Sequence, residues 1–244
     1  MLVKSQVKYI QSLSQKKSRD EDGVFIAEGP KLINELLSTP NVQVQQLYAL
    51  QEWIGQHPEM QAGSVVEVKE QELERLSFLQ TPNQVVGVFR KPVFSKITSY
   101  REQLSLMLDS IQDPGNLGTI IRCADWFGIN TVICSRESAD VFSPKVVQST
   151  MGSISRVQVI YEDLVPFMEQ HADIPAYAAT LHGTSLYDQQ ALQQGILVIG
   201  NESKGIREEL LKLCRHRITI PRKGEAESLN AAVATGIILS HIAR

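Results

Sequence analysis

Polar side chains able to hold and orient a ligand gather in three short stretches of this chain, each following an apolar run. Gln112-Asp-Pro-Gly-Asn-Leu-Gly118 carries Asn116. It leads into a helix predicted by the spacing of Ile120, Ile121, Ala124 and Phe127, with Gly128 as C-cap and Arg122 on the polar face. Gly200-Asn-Glu-Ser-Lys-Gly205 carries Glu202, and Gly200 lets the backbone approach a ligand closely. Ile218-Thr-Ile-Pro-Arg-Lys-Gly-Glu-Ala-Glu-Ser-Leu-Asn230 carries Glu227, Ser228 and Asn230. The run after it has helical apolar spacing (Leu229, Val233, Ile237, Ile238, Ile242), with Ser228 as the expected N-cap. Strand, loop and capped helix together present backbone N–H groups and a positive dipole end to a ligand. One such loop reads as an ordinary strand-to-helix turn; three within one sheet read as a site. There is no G-x-G-x-x-G after a strand and no Walker lysine, so the usual nucleotide fingerprints do not apply.

The elements that must position these loops are short strands. Leu104–Ser110, Thr131–Ser135, Val157–Ile160, Ala176–Leu181, Ile196–Ile199 and Arg217–Ile220 read as strands, several continuously apolar and most alternating with helical stretches. That pattern predicts a largely parallel sheet covered on both faces, which binds ligands at the carboxyl ends of its strands. Ahead of it, Val24–Ala27, Val42–Leu50, Ser64–Val68 and Val85–Phe89 predict a smaller α/β unit, with a helix opened by Gly29-Pro30. Ser143-Pro144 predicts a further helix start. The expected domains are residues 1–92 and 104–244, joined by a linker at 93–103 rich in Pro, Ser, Thr and charge.

Composition sets outer limits. A 244-residue chain with 43% hydrophobic and 21% charged residues is an ordinary globular protein, and its formal charge of −3 excludes a whole-surface nucleic-acid binder. A local cationic patch stays open: residues 1–19 hold Lys4, Lys8, Lys16, Lys17 and Arg19 and no acid, which suits a solvated helix face or a phosphate-contacting arm. Cys123, Cys134 and Cys214 lack paired spacing, and His171 and His182 lack ligand spacing. A disulfide framework or a metal site is therefore not expected, and a reducing, cytoplasmic location is. No apolar run reaches the ~18–20 residues of a membrane span, so no membrane partner is expected.

The segments DPGNLGTIIRCADWFG, VIGNESKGI and IPRKGEAESLNAAVA are similar to the three signature motifs of the SpoU (TrmH-like) RNA ribose 2′-O-methyltransferases of the SPOUT class. The resemblance covers about Leu104 to Arg244. SRDEDGVFIAEGPKLINELL and TPNQVVGVFRKP look like the substrate-binding domain that precedes the catalytic domain in many members, with a fold similar to ribosomal RNA-binding proteins. The resemblance implies an α/β SPOUT domain with a parallel sheet and a C-terminal trefoil knot, S-adenosylmethionine as cofactor, and a homodimer with active sites near the subunit interface. It implies transfer of a methyl group to a ribose 2′-hydroxyl, with ribosomal RNA favoured over transfer RNA.

Carried over by motif, Gly200, Ile220 and Leu229 are expected to bind the cofactor through backbone groups. Asn116, Arg122, Glu202, Ser228 and Asn230 match the catalytic positions. Arg122 is expected to position a phosphate and the developing alkoxide, since a guanidinium makes a poor base. Glu202 is expected to orient Arg122 or the ribose. The third motif departs from the commoner pattern at Arg222 and Lys223, and at Ala231 and Ala232. The competing expectations are a non-catalytic RNA-binding protein that keeps the fold, and an ordinary doubly wound nucleotide-dependent enzyme.

Overall fold

The computed structural model describes residues 2–58, 60 and 63–243; Met1 and Arg244, the outer bounds of the expected domains, lie outside them. In chain order the first elements are α1 (Lys4–Ser12), α2 (Lys16–Asp22), β1 (Val24–Glu28), α3 (Pro30–Leu37), β2 (Val44–Ala49), α4 (Gln51–Gly55), β3 (Val65–Glu67), α5 (Glu70–Glu74) and β4 (Val85–Arg90). There follow β5 (Leu104–Asp109), α6 (Pro114–Trp126), β6 (Thr131–Ser135), α7 (Pro144–Thr150), β7 (Gln158–Glu162) and α8 (Leu164–Gln170). The last are β8 (Ala176–Ser185), β9 (Gly195–Gly200), α9 (Glu208–Leu213), β10 (His216–Thr219) and α10 (Ala231–Ile242).

The chain divides into two compact units, Met1–Phe94 with Asp140–Ser155, and Ser95–Ala139 with Arg156–Arg244. In the first, the sheet order is β1-β4-β2-β3, with β4 antiparallel to both β1 and β2 and β3 parallel to β2. Ile10, Leu13, Val24, Ile26, Tyr48, Val86 and Val88 fill one face of that sheet. Residues 140–155 belong to this unit and not, as expected, to the C-terminal domain. The reason is packing: α7 lies on β1, Phe142 meets Phe25 with ring centroids 5.5 Å apart, and Val146 and Val147 are buried. Asp140 pairs with Arg19, whose side chain is 2% exposed and also donates to the carbonyls of Leu13 and Ser14. Arg19 is therefore a core residue, and only Lys4, Lys8, Lys16 and Lys17 of the basic N-terminal run are exposed. Ser143 stands at the N-cap of α7 as expected, but its side chain makes no capping bond.

The second unit is a six-stranded sheet of order β10-β8-β9-β5-β6-β7, parallel at every pairing. Its central strands β5, β6 and β9 are buried almost throughout, as continuous apolar runs require when helices cover both faces. β8 runs to Ser185, beyond the Leu181 expected, because Gly183 lies against β10: a Cβ there would meet the Arg217 carbonyl oxygen at 2.6 Å. The expected apolar face of α10 is only partly a core face. Ile238, Leu239 and Ile242 are buried, whereas Leu229, Val233 and Ile237 are 45%, 51% and 37% exposed.

Candidate active site

Parallel pairing brings the carboxyl ends of all six strands to one edge, and the three polar loops leave from that edge. The first begins with Asp113, whose side chain accepts the Asn116 backbone N–H at 2.8 Å and caps α6, with Pro114 in the first turn. Asn116 is thus fixed in the opening turn of the helix. Its Nδ2 donates to Glu202 Oε1 from the second loop, and its Oδ1 accepts from Asn230 Nδ2 of the third at 2.8 Å. A single chain of side-chain hydrogen bonds, Glu202–Asn116–Asn230, therefore ties all three loops together. Asn230 also caps α10, its Oδ1 accepting from the N–H groups of Ala232 at 2.9 Å and Val233 at 3.2 Å.

The second loop is a closed ring. Asn201 N–H donates to the Gly205 carbonyl at 3.1 Å and Gly205 N–H to the Asn201 carbonyl at 2.9 Å. Asn201 Oδ1 accepts from the backbone of Ser203 and Lys204, and its Nδ2 donates to the Ser110 carbonyl at 2.9 Å. Gly200 is required here, since a Cβ would collide with the backbone of Gly205 and Ile206. The far end of the loop is held by Asp109, buried at the end of β5, whose carboxylate accepts from Arg207 N and Nε, each at 2.8 Å. Beside it, Glu137 is held below the usual carboxylate range by its own backbone N–H and the Ser135 hydroxyl, with Arg207 and Arg136 adding to the effect.

Asn116, Glu202 and Asn230 are brought together, with Gly200 and Leu229 as close chain neighbours; the other expected site residues lie outside that chain. Arg122 is exposed and forms no hydrogen bond or ion pair with the described residues. It stands roughly 9 Å along α6 from Asn116 and about 120° around the axis. Of the two expected partners of Glu202, Arg122 or the ribose, that phase sets Arg122 apart, and Glu202 meets Asn116. Arg122 shares its helix face with Trp126, one turn on and 82% exposed. Ser228 is exposed and is not the N-cap. The helix starts at Ala231, where the Asn230 amide can reach two free N–H groups. Ile220 is half-buried just after β10.

Sequence reasoning missed Asp113, Asn201, Asp109 and Arg207 as site supports. Asp-Pro ahead of a helical run and Asn-x-Ser in a turn are local signals that mark the first two. Asp109 has no local signal, because its partner lies far along the chain. Burial raises the Cys123 thiol, with Arg122 easing the shift; it raises Cys134 strongly and pushes Cys214 up to about 11. None of the three is a thiolate nucleophile at neutral pH.

The residues around the trio suit an organic cation with an apolar body: Ile220 and Leu229 supply apolar surface and Glu202 a carboxylate. The space at the Gly200 Cα is taken up by the loop's own Gly205 and Ile206 and is not, as expected, left open to a ligand. A parallel sheet with polar loops knitted together at its carboxyl edge defines an α/β domain with a candidate ligand site at that edge. Residues 103–240 match the SpoU rRNA Methylase family, and the chain belongs to that family. Residues 4–87 match the MRM3-like substrate binding domain. The chain is 30% identical over 242 residues to the 23S rRNA (guanosine(2553)-2′-O)-methyltransferase RlmP of Bacillus subtilis, covering 97% of this chain and 95% of that one. Among solved structures, a putative RNA methyltransferase of the TrmH family from Porphyromonas gingivalis superposes with a TM-score of 0.85 at 39% identity, covering 99% and 98% of the two chains. The AdoMet-bound rRNA methyltransferase of Sinorhizobium meliloti superposes with a TM-score of 0.83 at 34% identity, covering 99% and 95%.

Proposed function

We propose that this protein transfers a methyl group from S-adenosylmethionine to a ribose 2′-hydroxyl of ribosomal RNA. The observation that carries the reading is the Glu202–Asn116–Asn230 chain, which fixes three loops in one arrangement ahead of any ligand. Pre-set geometry is what an in-line transfer needs, because donor, methyl and acceptor oxygen must be aligned. Bound S-adenosylmethionine supplies a methyl on a positively charged sulfur. The backbone at Gly200, Ile220 and Leu229 would hold it, and the remaining lone pairs of Glu202 would accept from ribose hydroxyls. Arg122, with its donors free of the described residues, would hold the neighbouring phosphate and favour the charge that develops on the 2′-oxygen as its bond to the methyl forms. The sulfur–methyl bond breaks in the same step to leave the neutral thioether, and the hydroxyl proton passes to that phosphate or to water. The linked trio also argues against a non-catalytic RNA-binding protein, which has no need to hold these three side chains in one network. The N-terminal unit supplies RNA affinity, with Lys4, Lys8, Lys16 and Lys17 on its surface.

The working form is a homodimer. Val233 and Ile237, one turn apart on α10, and Trp126 on α6, which packs against α10, leave exposed apolar surface beside the site. Arg122 lies on that face, so each active site is completed near the interface. A trefoil knot is supported by the path of the chain. It leaves edge strand β10 and reaches back to α6, while the segment before β9 clasps the end of α10 through Leu192 N–H to the Ile242 carbonyl at 2.8 Å. None of the described helices is long and apolar enough to cross a membrane, and the sparse cysteines suit the cytoplasm.

The test is transfer of labelled methyl from S-adenosylmethionine to ribosomal and transfer RNA of a strain lacking the gene, followed by mapping of 2′-O-methyl positions. Label at one ribosomal ribose is expected. Tight RNA binding with no transfer makes the protein a binding module, and label confined to transfer RNA overturns the substrate assignment. Val233→Glu is expected to give monomers by sedimentation and to abolish transfer.

A further inference from the structure

We infer that the Asp109–Arg207 pair is a positioning device for the methyl donor, acting through the Gly200–Gly205 loop. Asp109 is fully buried, and its carboxylate accepts from the Arg207 backbone N–H and from Nε, each at 2.8 Å. The Ser110 hydroxyl donates to Oδ1, the oxygen that Nε meets, at 3.3 Å. In the β5–β9 register Asp109 stands directly opposite Gly200. One residue therefore grips both ends of the loop: its backbone is paired with Gly200, and its side chain holds Arg207. The next residue, Ser110, takes the middle through the Asn201 amide at 2.9 Å. Glu202 rides on this loop and is joined through Asn116 to Asn230, so the same anchor sets the position of the polar trio.

A closed loop without its outer anchor has other conformations to visit, because Ser203, Lys204 and Gly205 are exposed and their backbone hydrogen bonds close on Asn201 within the loop itself. Donor affinity then falls by the fraction of molecules that hold the competent shape. The Arg207 side chain is 37% exposed and the carboxylate keeps one backbone donor when it is removed, so the sheet survives its loss. Glu137 also feels the Arg207 charge, and it already has its own backbone and Ser135 as donors.

The inference rests on the methyltransferase reading, and the test separates the two. Donor binding by Arg207→Met and Arg207→Lys is measured by calorimetry beside the wild type, together with RNA affinity, kcat and Tm. The expected result for Arg207→Met is a rise of about 10-fold in the dissociation constant for S-adenosylmethionine, as when one molecule in ten holds the competent loop. RNA affinity should stay within about twofold and Tm within a few degrees, with partial recovery in Arg207→Lys. Unchanged donor affinity with a lowered Tm would make the pair a plain ion pair and overturn the inference. A wild type that binds no donor would sink the functional reading itself. Should Arg207→Met fail to fold, Asp109→Asn, isosteric and able to accept from the Arg207 N–H, is expected to show the same selective loss. Wild-type donor affinity in that variant overturns the inference equally.

Discussion

Asn116→Asp isolates the bridge at the centre of the site. The wild-type amide donates to Glu202 with one end and accepts from Asn230 with the other. The aspartate keeps the acceptor and turns the donor into a second carboxylate facing Glu202. Two such charges about 4 Å apart repel by roughly 1 kcal/mol in water and about 4 at the intermediate dielectric near a protein surface. This corresponds to raising one of the two carboxyls by about 1–3 pH units above its ordinary ~4. The raised carboxyl is protonated below that value and then donates to its neighbour, restoring the bridge. The favourable contribution is thus present at low pH and lost as pH rises through the raised value. Asn116→Ala, which removes two hydrogen bonds worth about 0.5–1.5 kcal/mol each, has no such dependence. At about pH 8 the aspartate variant should be slower than wild type by between 5- and 1,000-fold, and the alanine variant by about 5- to 150-fold. The assay is single-turnover methyl transfer at saturating donor and RNA from about pH 5.5 to 8.5, read as the ratio of the two variants so that the intrinsic pH dependence of the chemistry cancels. The ratio should fall as pH rises. A flat ratio, or transfer within twofold of wild type in both variants, refutes the bridge.

Three further outcomes follow from the same geometry. Arg122→Lys keeps the charge but loses the planar fork and should slow kcat by at least ~10²-fold while donor affinity holds; near-native turnover removes Arg122 from the mechanism. Asn230→Ala removes the α10 cap and should lower stability by about 1 kcal/mol in urea titration, whereas Ser228→Ala should leave stability unchanged; equal losses would contradict the cap assignment. Glu28 is buried and its carboxyl is raised first by burial, against the opposing hydrogen bonds from Ser77 and the Phe78 N–H. A raised carboxyl contributes stability at low pH that disappears as pH climbs past its folded value. Glu28→Gln should therefore be more stable than wild type by roughly 1 kcal/mol at neutral pH, with the gap closing in acid; a gap that widens in acid reverses the sign.

Local chemistry was enough to mark the strands, the three loops and most of the polar residues on them. Continuous apolar runs such as Leu104–Leu108 and Ile196–Ile199 carry their burial in their composition, and Asp-Pro ahead of a helical run carries a helix start. The motif resemblance added the chemistry, and the family match agrees with it. What the side chains do with one another was not legible. Glu202 and Arg122 are both polar residues in matching motifs, and only the phase of α6 decides that Glu202 meets Asn116. Ser228 and Asn230 are both good caps, and the choice fell to whichever amide or hydroxyl reached free N–H groups once the loop from β10 was in place. Apolar spacing on α10 has the same appearance whether a stripe faces the core or the solvent, so Val233 and Ile237 read as core until the sheet position was known. Arg19 read as a surface cation until Asp140, from a distant part of the chain, entered the same core. Asp109 shows the limit most plainly: a strand's last residue says nothing about Arg207, because the contact exists only after two parallel strands have aligned. Propensity and periodicity are properties of neighbours in sequence, whereas these pairings are properties of neighbours in space.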